Sequence, residues 1–390
     1  RGGHSAVYLP GSNRVLIVGG AREMAATIDS SGPPSWQPAK AANLSYEIFD
    51  VAEERFLKPF DASLTKATKR VFPNLLLLAD DYVVALGGAQ WPVSQSTNPL
   101  AYTNSDLYNP HAKFDPTLNS NDSRLGAFIS IGAALPLTEV RAGAAVGSMG
   151  TTSLGAGRHL IWGGGNGLAE VFTESTNHGD GTFDNTYLVE GDIIKKEGTL
   201  YFATLTALSA AEEFSLLLSI GGIRHNGTKW LPPQADDVYL VAVSSPHSGI
   251  KRINTIKVDG LDVGIYMHQA SLTDDNHVLV SGGFSEFGKP ASATMRVFDI
   301  AEFMAVAAKL KANGAKIDLT KPDDTAGLKL TLLEPPTTKN WVKRGGHRAV
   351  RLNNDCVLAF GGVSDLVDLT KTSVEAASDI YCPAHLDPSL

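Results

Sequence analysis

Cysteine is almost absent from this sequence, which has two cysteines among 390 residues. Two cysteines cannot form a disulfide framework, and by themselves they cannot complete a metal cage. The sequence therefore excludes a small fold stapled by disulfides and a domain built around cysteine-bound metal.

Long apolar runs and basic tracts are also missing. No stretch approaches the roughly 20 apolar residues of a membrane-spanning helix, and no segment is rich in Lys and Arg. The formal net charge is −8, and the hydrophobic share of 43% is that of an ordinary globular protein. We therefore expect no membrane span and no nucleic-acid partner.

A short pattern recurs six times along the chain. An apolar run ends in two consecutive glycines, and the first glycines of successive pairs lie 58 to 79 residues apart. Such a run predicts a strand that is buried on both faces and ends in a close backbone turn. The six runs are VLIVGG, YVVALGG, HLIWGGG, LLLSIGG, HVLVSGG and CVLAFGG. One strand-like element precedes each run, and an element with Phe or Tyr second follows it: IFDV, LYNP, TYLV, VYLV, VFDI and IYCP.

The opening RGGHSAV returns as RGGHRAV from Arg344. This start, the Gly-Gly strands and the aromatic elements resemble the kelch repeat over essentially the whole chain, as in secreted bacterial kelch-repeat proteins. The resemblance implies an all-β fold, a six-bladed kelch-type β-propeller of the galactose-oxidase-like superfamily, in which each repeat forms one four-stranded blade. These units exceed the roughly 50 residues usual for kelch, so we expect long loops on one face.

We expect a single propeller domain over residues 1–390. The predicted blades span approximately 1–60, 70–135, 140–198, 200–258, 264–335 and 343–390. The segment DIAEFMAVAAKLKANG has apolar residues at helical spacing and predicts one short helix in the fifth blade, with Gly314 as its C-cap. Residue 1 already begins a first strand and the sixth unit shows no fourth strand, so we expect the closing strand to lie upstream or to be missing.

Arginines recur at the head of the first strand, 17 or 18 residues before the first glycine in three units and after a longer turn in a fourth. They are Arg1, Arg70, Arg141 and Arg344, whereas Thr204 and Ile265 occupy the position in the other two units. His4, His268 and His347 follow three residues later. One interpretation is a ring of guanidinium groups at a channel mouth, suited to carboxylate or phosphate. The other is that both residue types are structural parts of the repeat.

The loops after the glycine pairs carry further candidates. Trp91 follows the second pair, and Arg224 and His225 follow the fourth. Tryptophan and arginine are frequent binding hot spots, so these residues extend the predicted ligand face. We hold Arg1, Arg70, Arg141, Arg344 and His268 as candidate ligand-binding residues together with them.

Enzymatic alternatives come from the resemblance. Copper-radical oxidases of this superfamily need a tyrosine joined to a cysteine and histidine ligands at the mouth, whereas Cys356 and Cys382 lie in the last unit, away from it. Sugar mutarotases and epimerases also use the fold, but no motif here singles out their catalytic residues. The sequence favours a non-catalytic protein without metal or cofactor, and a sugar-active enzyme or a metal-dependent oxidase is the alternative.

The two cysteines predict one disulfide. If Phe360 pairs with Ser378 in an antiparallel hairpin, the residue numbers of paired positions sum to 738, and 356 and 382 give the same sum. Cross-strand neighbours in this register can form a disulfide, which would indicate an oxidising compartment. The sequons at Asn43, Asn121 and Asn226 agree with secretion.

We therefore predict a secreted or cell-surface binding module that holds an anionic peptide, a protein segment or a glycan on the loop face. A cytoplasmic adaptor is the alternative location and role. Nothing in the sequence specifies an oligomeric state.

Overall fold

The structure is a computed structural model of the 390-residue chain. The residues that it describes are 1–21, 24–27, 35–38, 46–57, 70–78, 81–89, 105–111, 126–129, 141–151, 157–165, 169–173, 187–189, 199–210, 214–225, 230–244, 252–274, 276–312, 328–333, 341–352, 354–366 and 377–383.

The described residues form strands and one helix, so the all-β prediction is confirmed. Most strands belong to six antiparallel sheets that follow one another along the chain. Sheet 1 contains β1 (Gly2–Leu9), β2 (Arg14–Ala21), β5 (Glu47–Asp50) and β6 (Arg55–Phe56). Sheet 2 contains β7 (Asn74–Leu77), β8 (Val83–Leu86), β9 (Ser105–Asn109) and β10 (Ala127–Ile129). Sheet 3 contains β11 (Ala145–Thr151), β12 (Gly157–Trp162), β13 (Ala169–Thr173) and β14 (Tyr187–Val189).

The second half of the chain repeats this arrangement. Sheet 4 contains β16 (Thr204–Ala210), β17 (Phe214–Ile220), β20 (Val238–Ser244) and β21 (Arg252–Lys257). Sheet 5 contains β22 (Gln269–Asp274), β23 (His277–Ser281), β24 (Met295–Asp299) and β25 (Thr331–Leu333). Sheet 6 contains β26 (Arg348–Arg351), β27 (Val357–Phe360) and β28 (Ser378–Tyr381).

Two further small sheets are not part of these six. One pairs β3 (Met24–Thr27) with β4 (Ser35–Pro38). The other orders β15 (Thr199–Tyr201), β18 (Ile223–His225) and β19 (Trp230–Leu231).

The second strand of each sheet carries the apolar run that ends in Gly-Gly. Every residue of β8 and β17 is buried, as is every residue of β2 after the first. Burial on both faces removes water from both sides of the strand, which explains why the runs do not alternate with polar residues. The prediction that these strands are buried on both faces is confirmed.

The first strands of the six sheets contact one another in a closed cycle. β1 contacts β7, β7 contacts β11, and the series continues through β16, β22 and β26 back to β1. We call these six the innermost strands. Apolar clusters lie between successive sheets in the same order, and one of them joins sheet 6 to sheet 1. Each sheet therefore buries both faces against its two neighbours.

The predicted helix is present as α1 (Ala301–Ala312), directly after β24. The Asp299 carboxylate accepts a hydrogen bond from the backbone N–H of Ala301 at 2.8 Å, which satisfies one donor at the helix start. Phe303, Val306 and Ala307 are buried in the cluster between sheets 4 and 5. Gly314, the predicted C-cap, lies outside the described residues.

The third repeat unit differs from its prediction. The sequence pattern placed the third strand at TYLV, but the third strand is β13, with Val171 and Phe172, and the segment from Tyr187 forms the fourth strand. The glycine pair and β13 are separated by a short connection, so the hairpin closes on the nearer aromatic segment. Sheet 6 has three strands within the described residues.

No helix among the described residues is long and apolar enough to span a membrane.

Candidate functional site

Four innermost strands have an arginine at their head, at the repeat position identified in the sequence. Arg70, Arg141 and Arg344 are fully buried, and the side chain of Arg1 is 14% exposed. In each sheet a terminal guanidinium nitrogen donates to the carbonyl oxygen of the first glycine of the same sheet's pair, at 2.6 to 3.2 Å. The arginines are therefore held against the end of the second strand.

Each of these arginines also forms an ion pair with a carboxylate at the beginning of the third strand. The nitrogen–oxygen distances are 2.5 to 2.8 Å. The carboxylates are those of Glu47, Asp106, Glu170 and Asp379. Sequence reasoning missed these partners, although an acidic residue directly before the aliphatic–aromatic pair is visible in EIF, DLY, EVF and DIY. The guanidinium groups tie two strands of one sheet together.

In sheets 4 and 5 no arginine occupies the head position, and the residue before the aliphatic–aromatic pair of the third strand has a different ion-pair partner. Asp237, before VY of sheet 4, accepts from Arg224 at 2.8 and 2.9 Å, and Tyr239 also contacts Arg224. Burial raises the pKa of Asp237, and the Arg224 charge opposes that shift. In sheet 5 the equivalent residue is Arg296, which pairs with Asp262.

Arg224 and His225, the two candidates that follow the fourth glycine pair, contact side chains of the same repeat unit. Arg224 is buried and paired with Asp237, as described above. The ring of His225 lies 4.9 Å from that of Trp230, and burial lowers the pKa of His225. Trp91, the third loop candidate, lies outside the described residues.

Backbone hydrogen bonds connect each glycine pair to the next sheet. The N–H of the second glycine donates to the carbonyl of the residue at the head of the following innermost strand, at 2.7 to 3.0 Å in all six cases. The last bond runs from Gly362 to Arg1 and closes the cycle. This pattern assigns Leu200, not Thr204, to the head position of sheet 4.

Two residues after the head position, the chain passes through positive φ in all six units. The residues are Gly3, Phe72, Gly143, Phe202, Met267 and Gly346, with φ between 52° and 66°. We call them the plug residues. Among the described residues, backbone hydrogen bonds link successive plug residues at five of the six steps, and the Gly3 N–H donates to Gly346 at 3.1 Å. The three large side chains are at most 9% exposed and belong to one apolar cluster. They therefore fill the channel mouth predicted at the heads of the innermost strands.

The three histidines follow directly after plug residues and lie between sheets. His268 contacts the Thr204 hydroxyl at 3.2 Å, and His347 contacts that of Ser281 at 3.0 Å. Burial lowers the pKa of all three, that of His268 to about 3. They are therefore uncharged at neutral pH and pack against the neighbouring sheet, close to its first glycine.

A cavity of about 170 Å³ lies among the innermost strands, adjacent to the plug residues. All six innermost strands or the residues just before them contribute to its wall. Four residues after the head position, the six units place Ser5, Asn74, Ala145, Thr204, Gln269 and Arg348. We call this cavity the axial cavity and these six residues the axial ring.

Arg348 is the charged member of the axial ring. Its Nε donates to the His4 carbonyl at 3.0 Å, and its terminal nitrogens donate to Ser5 Oγ at 2.7 Å and Gln269 Oε1 at 3.4 Å. Burial lowers the pKa of Arg348 to about 10, so the side chain stays protonated at neutral pH. Sequence reasoning missed Arg348, although it is the fifth letter of the repeated start, RGGHR.

A second cavity, of about 140 Å³, lies between sheets 1 and 6. Arg1 borders it, next to its ion-pair partner Glu47. Aromatic side chains of Phe49, Phe56 and Phe360 form much of the remaining wall. Arg1 is thus a candidate head arginine that borders a cavity.

The predicted disulfide is present. Phe360 pairs with Ser378, and Cys356 is bonded to Cys382 with their Cα atoms 4.3 Å apart. Because the chain has only these two cysteines, it offers no thiol for the cysteine-joined tyrosine of a copper-radical oxidase. Among the described residues, no group of three His, Cys, Asp or Glu side chains is placed to hold a metal ion. This donor set does not fit a copper-radical site.

Comparison with known proteins shows a likeness of fold. No family model and no curated protein sequence matches the chain. A solved structure described as a novel fungal alcohol oxidase with catalytic diversity among the AA5 family, in complex with copper, superposes with a TM-score of 0.51 at 12% identity. The match covers 97% of this chain and 74% of that chain. At this identity the likeness concerns the fold alone.

A second solved structure is more distant. It is a cryo-EM structure of RAG in complex with one melted and one unmelted RSS, with a TM-score of 0.44 and 13% identity over 78% of this chain and 81% of that chain. At this TM-score the likeness supports no further argument.

Proposed function

We propose that the chain is a single six-bladed, kelch-type β-propeller that acts as a non-catalytic binding module. The cyclic contacts of the innermost strands and the apolar clusters between all neighbouring sheets support this architecture. The six sheets fall within the blade ranges expected from the sequence, 1–60, 70–135, 140–198, 200–258, 264–335 and 343–390.

The axial cavity is the observation that carries the proposal. It combines a concave site with polar side chains contributed by several strands, which is the usual construction of a small-ligand site. Its wall contains Ser5, Asn74, Thr204, Gln269 and Arg348 among apolar residues, and no Asp, Glu or Cys among the described residues. Without a carboxylate or thiol in the wall, this site favours binding over acid–base or nucleophilic catalysis.

The ligand classes proposed are an anionic peptide segment or a glycan. Because the plug residues fill the predicted mouth, we propose that the ligand binds in the axial cavity and not on the loop face. The contacts of the head arginines support their structural role, because their guanidinium groups pair with carboxylates of their own sheets. Loop residues such as His225 remain a proposed extension of the ligand surface.

We place the protein outside the cell or on its surface. The Cys356–Cys382 disulfide supports this location, because disulfides form and persist in oxidising compartments.

A screen of the purified chain against glycans and acidic peptides tests the proposal. Ala145→Leu inserts a larger side chain into the axial cavity, and Ser148→Leu places the same side chain at an exposed position of the same strand. We expect a ligand whose binding is lost in Ala145→Leu and kept in Ser148→Leu.

Two results would contradict the proposal. One is a ligand that binds equally well to both variants, which would place the site elsewhere. The other is turnover, detected as sugar mutarotation, epimerisation or alcohol oxidation by the purified chain, which would make the protein an enzyme.

A further inference from the structure

The axial ring is where the sixfold repetition of the structure breaks down. At the head position the repeat uses arginine four times, and two positions later the plug residues are three glycines and three large apolar residues. At the axial ring the six side chains are chemically different, and one of them is cationic. A residue type that recurs at the same position of several repeats stabilises the shared fold. A single cation at a position that differs in every repeat suggests a role in binding instead.

The charge on Arg348 has no carboxylate partner among the described residues. Arg351, three residues later on β26, is paired with Asp355 at 2.6 Å, and the head arginines are all paired. Arg348 instead uses three of its donors on a carbonyl, a hydroxyl and an amide oxygen. A guanidinium group has five N–H donors, so donors on its terminal nitrogens remain for a ligand. A partly buried charge without an opposite charge is costly.

Asn74 provides a second, independent observation at the same cavity. Its side chain is 4% exposed, and its Nδ2 donor has no hydrogen-bond partner among the described residues. Asn74 borders the axial cavity with Arg348. A buried donor without an acceptor is uncommon in folded proteins. The Asn74 donor requires an acceptor, and the Arg348 charge favours an acceptor that is negatively charged.

We infer that the axial cavity binds a small organic carboxylate, such as a sugar acid, with Arg348 as its counter-ion and Asn74 as a neutral donor. The inference rests on the proposed function and names the ligand class of that same site. Guanidinium and carboxylate are both planar and can form two parallel hydrogen bonds. The cavity, at about 170 Å³, exceeds the roughly 150 Å³ of an engineered cavity that holds benzene, so it has room for a ring-sized ligand.

The experiment is isothermal titration calorimetry of the full chain at low ionic strength, with D-glucuronate, D-glucose and inorganic phosphate as probes. We expect D-glucuronate to bind and D-glucose to bind at least about tenfold more weakly, because glucose lacks the charge-assisted hydrogen bonds. Arg348→Gln should weaken glucuronate binding at least about tenfold. Arg351→Gln, on the same strand, is the control and should bind as the wild type does.

A second variant keeps the inference testable if Arg348→Gln does not fold. Asn74→Asp adds a carboxylate to the cavity wall, which should neutralise Arg348 and weaken glucuronate binding at least about tenfold. Unchanged glucuronate affinity in Arg348→Gln or Asn74→Asp would overturn the inference. Phosphate that binds as tightly as glucuronate would overturn the assignment to a carboxylate.

Failure of the inference and failure of the proposed function give different results. If a neutral glycan binds and Ala145→Leu abolishes its binding, the axial binding site stands and the carboxylate assignment fails. If glucuronate binds Ala145→Leu as tightly as the wild type, the site is not the axial cavity and both fail.

Discussion

At the scale of single residues, Arg70 and Arg348 show how position within the repeat determines the role of an arginine. Arg70 is fully buried between the Gly87 carbonyl and the Asp106 carboxylate. Arg348 lies four residues beyond the head position of its own unit, where the third strand presents no carboxylate to it. We propose that Arg70 supports the fold and that Arg348 is the ligand-binding group.

The ion pair of Arg141 with Glu170 provides the residue-scale prediction. Both side chains are fully buried, and Glu170→Gln would remove the negative charge of this buried ion pair. We expect a loss of about 3 kcal/mol or more in the free energy of unfolding, measured by urea denaturation.

The control is Glu53→Gln, which removes a pair of the same 2.6 Å length from the surface, where Glu53 and Arg55 are 41% and 55% exposed. This variant should change the free energy of unfolding by less than about 1 kcal/mol. Equal effects of the two substitutions would show that burial of the Arg141 pair has no structural importance.

Sequence reasoning located the four head arginines correctly but left their role open. The role depends on Glu47, Asp106, Glu170 and Asp379, which lie 29 to 46 residues further along the chain. The members of each pair are separated by chain segments of different lengths, so their proximity follows from strand pairing and not from a fixed spacing. The acidic residue before each aliphatic–aromatic pair was the available signal.

At the scale of elements, local pairing was predictable and distant pairing was not. The Phe360–Ser378 register, and with it the disulfide, followed from matching two strands of one hairpin. The third strand of sheet 3 was assigned to the wrong segment because TYLV matches the pattern in letters, whereas Glu170 and Phe172 fit the buried position. Sequence pattern alone does not reveal which of two aromatic segments pairs with the second strand of the sheet.

The packing of the plug residues can be tested by substitution at two of their glycines. Gly143 and Gly346 have nearly equal φ, +66° and +61°, so alanine meets similar backbone strain at both. A Cβ at Gly143 would lie 2.5 Å from the Phe202 ring, whereas at Gly346 its nearest neighbour is 3.7 Å away. We expect Gly143→Ala to lower the free energy of unfolding by about 1 to 3 kcal/mol more than Gly346→Ala.

Chemical denaturation of the two alanine variants measures this difference. Equal destabilisation would mean that the Phe202 ring does not pack against the Gly143 backbone, and the description of a filled mouth would then fail.

At the scale of the whole molecule, the closed cycle explains how the axial cavity arises. The contacts of β1 with β26, and the bonds Gly362 to Arg1 and Gly3 to Gly346, join the two ends of the chain. Six repeats were countable in the sequence because each carries its own glycine pair. The cavity was not predictable, because its wall combines side chains from all six units and its chemistry lies in the differences between them.

We propose that the head arginines stabilise the sheets and that Arg348 binds the ligand. Glucuronate binding is measured by calorimetry, and Tm is measured alongside it, for two variants. One is Arg348→Gln, and the other is the double variant Arg70→Gln/Asp106→Asn, which removes both charges of a buried ion pair. We expect the double variant to have a lower Tm and a glucuronate affinity within about twofold of the wild type. We expect Arg348→Gln to lose at least about tenfold in affinity. Lost glucuronate binding at unchanged Tm in the double variant, with Arg348→Gln binding normally, would contradict the proposal.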